Sequence, residues 1–120
     1  MTRADRIHPR FDVRLSATVR SGGLAVDGTV ENVGAGGVFF VSEHLELVLG
    51  EGAAVEVELR PQAPLARVTR AGEVVRDERY FDGERVVRAL AVRFLTPIEL
   101  ADVGLGDPPD RAGVAESADA

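Results

Sequence analysis

Val13-Arg14-Leu15-Ser16-Ala17-Thr18-Val19-Arg20, then Ser21-Gly22-Gly23, then Leu24-Ala25-Val26-Asp27-Gly28-Thr29-Val30, is the stretch that decides the fold. Val13, Leu15, Ala17 and Val19 alternate with Arg14, Ser16, Thr18 and Arg20. A period of two places one set on a buried face and the other in solvent, which is a half-buried strand. Ser21-Gly22-Gly23 supplies a turn, and Leu24, Val26, Gly28 and Val30 continue the alternation in a second strand. The two together read as a hairpin.

The same period recurs downstream. A glycine cluster, Gly34-Ala35-Gly36-Gly37, leads to a third strand over Val38–Ser42. A connection from His44 to Gly52 follows. Val55, Val57 and Leu59 mark a fourth strand, with Glu56, Glu58 and Arg60 on its other face, and Pro61 and Pro64 close it. A fifth strand is expected from about Ala66 to Glu78, with Gly72 as a bulge. Asp82-Gly83 signals a hairpin. Val86 to Leu95 is the sixth strand, with Leu90, Val92 and Phe94 on one face. Six short, evenly spaced strands predict an all-β, six-stranded antiparallel β-barrel. Val13, Leu15, Val30, Val57, Leu90, Val92 and Phe94 are expected inside it.

One short C-terminal helix is expected over Thr96–Asp102. Thr96 would cap it, Pro97 suits its first turn, and Glu99 completes a capping box. Gly104 and Gly106 end it. The chain thus divides into an N-terminal arm (1–12), a barrel domain (13–103) and an acidic tail (104–120). From about Asp107 the tail is too poor in large apolar side chains to order itself, and is expected to be disordered.

Charge follows this division. The net charge is −6. Residues 1–14 hold four Arg against two Asp, whereas 101–120 hold one Arg against five acids. An anion would meet the arm first. An acidic whole argues against a nucleic-acid polymer as partner. The absence of cysteine excludes disulfides and a thiolate zinc site. No signal peptide is visible, and no apolar run reaches the length of a membrane span. A cytoplasmic protein without membrane insertion is the expectation. Two His, no nucleophile-elbow pattern and no metal motif make enzymatic activity unexpected. Carboxylates such as Glu56 and Glu58 read as a solvated strand face.

Two features remain. Arg6-Ile7-His8-Pro9-Arg10 precedes the first strand, and Asn32-Val33-Gly34-Ala35-Gly36-Gly37 joins the second to the third. In this order, on this strand pattern, they resemble the signature of the PilZ family. That family shows R-x-x-x-R in an N-terminal switch segment and [D/N]-x-S-x-x-G between strands two and three. Arg6 and Arg10 match the first motif; Asn32, Gly36 and Gly37 match the second. Arg10 and Arg14 share the spacing, but Arg14 falls inside the alternation of the first strand. Val92-Arg93-Phe94-Leu95 is also similar to the family's ending.

The resemblance implies a cyclic di-GMP receptor that requires no cofactor. Arginine forks pair with phosphate oxygens or with guanine O6 and N7, so Arg6 and Arg10 would carry the ligand, often a stacked dimer in this family. Asn32 would meet a guanine edge, and Gly37 would let backbone approach the base. Gly34 stands where the family has Ser. One lost hydrogen bond costs on the order of 1 kcal/mol, more when the partner is charged, so binding would be roughly tenfold weaker. The implied output is an ordered arm presented to a downstream protein. The alternative is a PilZ-like interaction module, in motility or pilus function, that has lost or weakened ligand binding.

Overall fold

Ser21 pairs with Leu24 across a two-residue turn in which Gly22 and Gly23 have φ of 57° and 86°. Positive φ at both central positions is the turn whose twist matches a tight hairpin. This joins β1 (Arg10–Ser21) to β2 (Leu24–Gly34). The computed structural model describes residues 10–44 and 49–105. β3 (Gly37–Ser42), β4 (Ala54–Arg60), β5 (Val68–Phe81) and β6 (Val86–Phe94) complete a closed barrel of order β1-β2-β3-β6-β5-β4. All six pairings are antiparallel. Among the described residues each strand is paired on both sides over part of its length, so none is an edge strand.

Alternation holds through the core. Val30, Val57, Leu90, Val92 and Phe94 are buried as expected. Val13 and Leu15 are only partly buried against the core, because the β1–β2 register slips between Asp12 and Leu15. Phe40 and Leu59 are among the largest fully buried side chains, in an interior built mainly of valine.

Four expectations give way. β1 begins at Arg10 rather than at Val13, so residues 10–12 are paired strand. The bulge in β5 falls between Val74 and Arg76, while Gly72 pairs regularly with Val55 and Phe94. Val75, the extra residue, is 44% exposed. The expected helix over Thr96–Asp102 reduces to one 3-10 turn, Leu100–Val103, with no side-chain cap bond. Ile98 is drawn into the core, and its amide donates to the Ala35 carbonyl at 2.9 Å. That keeps the preceding chain extended, and Glu99 has φ −89° and ψ 124°. Gly104 ends the turn with φ 85°. The arm through Pro9 and the tail from Gly106 lie outside the described residues.

The fourth correction concerns Glu58. It lies on the outward face of β4 yet is 5% exposed. Arg20 meets it at 2.8 Å, Arg67 at 3.1 Å and Arg60 at 3.3 Å. Arg60 also donates to the Thr18 hydroxyl, which donates to Asp27. The Arg20 bond, followed by the opposing effect of burial and then by Arg60, leaves the Glu58 carboxyl below its ordinary 4.5. A depressed carboxylate stabilises the fold above its unfolded value, and that contribution is lost as pH falls through the folded one. The wild-type melting temperature should therefore fall as pH drops below about 4.5. Glu58→Gln should start lower at neutral pH and fall less. Parallel curves for the two proteins would remove Glu58 from this role.

Candidate functional site

Where β1 begins, it runs beside the end of β2. Arg10 pairs with Gly34, Phe11 with Val33, and Asp12 with Asn32. The register thereby joins residues 22 apart in sequence: Arg10 Nη1 donates to Asn32 Oδ1 at 3.1 Å. Arg10 is exposed. A guanidinium carries five N–H donors in a fixed planar fork.

The Ala35-Gly36 turn then reverses the chain into β3. It is anchored by the neighbouring strand β6, where the Phe94 amide donates to the Gly36 carbonyl at 2.8 Å. Ile98 binds Ala35 in the same way, so the end of β6 and its extension brace the loop. Gly37 has a reason in the fold itself: a Cβ there would collide with the Val92 carbonyl oxygen. Gly34 is buried, extended and paired with both Arg10 and Gly37. It is not among the glycines with positive φ.

Of the residues singled out from sequence, Arg10, Asn32, Gly34 and Gly37 are thus brought together on neighbouring strands at one end of the barrel. Arg6 lies outside the described residues. Arg14 is exposed and lines a different cleft, with Asp27, Glu31, Glu43 and Asp82. Those carboxylates make it a poor place for an anion.

Phe39 was not singled out from sequence. It pairs directly with Asn32, is half-buried, and has the Tyr80 ring 6.3 Å away. The outward place of Phe39 in the alternation, between buried Val38 and Phe40, is the signal that finds it. Burial, then the negative charge of Glu31, which also accepts the Tyr80 hydrogen bond, raises the Tyr80 hydroxyl above its ordinary 10.0. Asp77 and Arg88 are a second omission, a buried pair at 3.1 Å. Asp77 also accepts from the Gly50 amide at 2.9 Å, tying the β3–β4 connection to β5.

Among the described residues, no group of three or more His, Cys, Asp or Glu could hold a metal ion. No helix among them is long and apolar enough to cross a membrane.

Several solved structures share this barrel. The inhibitor of motility from Bacillus subtilis (MotI/DgrA) is 16% identical, with a TM-score of 0.67 over 81% of this chain and 46% of its own. The PilZ domain of YcgR from Escherichia coli, solved with cyclic di-GMP, is 15% identical, with a TM-score of 0.61 over 75% and 77%. PlzA from Borreliella burgdorferi, in complex with cyclic di-GMP, is 11% identical, with a TM-score of 0.59 over 80% and 47%. The chain thus spans under half of the MotI and PlzA chains, and at these identities the likeness is one of fold. No curated protein matches the sequence. The PilZ domain family model matches residues 4–105, the whole barrel and the motifs that precede and interrupt it, and the chain belongs to the PilZ domain family.

Proposed function

We propose that this protein is a receptor for cyclic di-GMP that signals through protein contact, without catalysis. The observation that carries the reading is the meeting of Arg10 and Asn32 at 3.1 Å, where β1 begins and β2 ends. A guanidinium fork and an amide side by side offer donors for phosphate or guanine N7 and O6, with an acceptor for the base's N–H groups. Membership of the family supports the ligand, as do the YcgR and PlzA structures solved with it. In this reading Arg6 supplies the second fork. The ligand then orders the arm, and the ordered arm presents a surface to a downstream protein in the cytoplasm.

Gly34 favours a second reading. Without the hydroxyl of the family's Ser, the site loses a polar partner, as in an interaction module that no longer binds strongly. Gly34 is extended rather than left-handed, so a Cβ there meets no backbone penalty of the positive-φ kind. Calorimetric titration with cyclic di-GMP separates the two. The receptor reading expects saturable binding by the wild type and roughly tenfold tighter binding by Gly34→Ser. Absence of binding by both proteins would leave the interaction module as the function.

A further inference from the structure

The register that joins Arg10 to Gly34 continues across the barrel. Arg10 pairs with Gly34, Gly34 with Gly37, Gly37 with Arg93, and Arg93 with Glu73. On this row, two glycines are all that separates two arginines. Sheet neighbours are about 4.8 Å apart, so the two backbones stand roughly 14 Å from each other. Both side chains leave the outer face of the barrel. Arg93 lies between Val92 and Phe94, which are buried, and its own side chain is 64% exposed. The adjoining row, two residues along each strand, carries Asn32, Phe39 and Ala91. Two buried glycines without side chains, with a half-buried aromatic ring in the adjoining row, are therefore flanked by a guanidinium on each side.

Arg93 is already engaged. Its Nη2 donates to Glu73 Oε1 at 2.6 Å, and the Glu73 side chain is 38% exposed. An ion pair this exposed is worth little and exchanges readily. A phosphate, or the O6/N7 edge of a guanine, competes for the same fork with better geometry.

We infer that Arg93 is a third ligand-binding arginine of this site, and that Glu73 holds it in reserve by competing with the ligand for its guanidinium. The inference rests on the receptor reading above and adds a residue to it. The ligand class is a dianionic cyclic purine dinucleotide, whose ring carries its two phosphates on opposite sides. Arg10 approaches it from one side of the two glycines and Arg93 from the other. Binding exchanges the Arg93–Glu73 pair for a contact to phosphate or guanine, and Glu73 turns to solvent.

The test is calorimetric titration of cyclic di-GMP into the full chain and into Arg93→Ala, Glu73→Gln and Arg10→Ala, with the melting temperature of each as a check on folding. Arg93→Ala is expected to weaken binding about tenfold, as loss of a charge-assisted bond does. Glu73→Gln is expected to tighten it about threefold, because the competitor is removed and the exposed pair was weak. A purely structural role for the pair would move both variants in the same direction. Weakening on Arg10→Ala with no change on Arg93→Ala or Glu73→Gln would overturn this inference and leave the receptor reading standing. No binding by the wild type would overturn both.

Discussion

Phe40→Ala is expected to destabilise the protein by about 3–5 kcal/mol, a large part of what holds a domain of this size folded. Phe40 is wholly buried at the middle of β3, between Val30 on β2 and Leu90 on β6. Its ring also lies against Gly28: a Cβ built there would come within 2.6 Å of the ring's Cζ. Most of the buried core cluster it belongs to is valine, whose β-branched side chains have little freedom to close a hole the size of a phenyl ring. Phe40→Leu fills most of that space and should cost much less. Urea titration would show the Ala midpoint displaced far below the wild type, with Leu between them. Coincident wild-type and Ala midpoints would mean that the ring is not the centre of the core.

Arg10→Ala should weaken cyclic di-GMP binding by about 2 kcal/mol or more, roughly thirtyfold. It removes charge-assisted and bidentate bonding together with the partner that orients Asn32. The loss should appear in affinity and hardly in stability, because Arg10 is exposed. Arg14→Ala is the matched control: the same residue type, four positions along the same strand, but beside Asp27 and Glu31. Its affinity should stay at the wild-type value. Loss of binding on Arg14→Ala, with Arg10→Ala unaffected, would mean that the other arginine pair carries the ligand.

The barrel was legible because alternation is a strong local code. Val55, Val57 and Leu59 face inward as written, and Ser21-Gly22-Gly23 turns where two positive-φ residues are needed. The misreadings arose where a distant contact overrides the local rule. Pro97 and Glu99 are sound helix-start residues, but core burial of Ile98 and its bond to Ala35 keep the chain extended there. Glu58 occupies an outward strand position, yet three arginines from β1, β4 and the segment before β5 cover it. Gly72 attracted the bulge by residue type, while the register slips at Val75 instead. At the site, motif spacing marked Arg10 and Asn32. It could not show that they bond to each other, since strand register is a three-dimensional fact. Phe39 and Arg93 enter the site for the same reason: they follow from pairing, not from proximity in the chain.

The central claim is that cyclic di-GMP binds where β1 begins and β2 turns into β3. Backbone amide shift mapping by NMR, with the unlabelled ligand titrated into uniformly labelled protein, tests it most directly. The account predicts the largest shifts at Arg10, Asn32, Gly34 and the Ala35–Gly37 turn, with a second group at Phe39 and Arg93. Shifts centred elsewhere on the barrel, or none at saturating ligand, would contradict it.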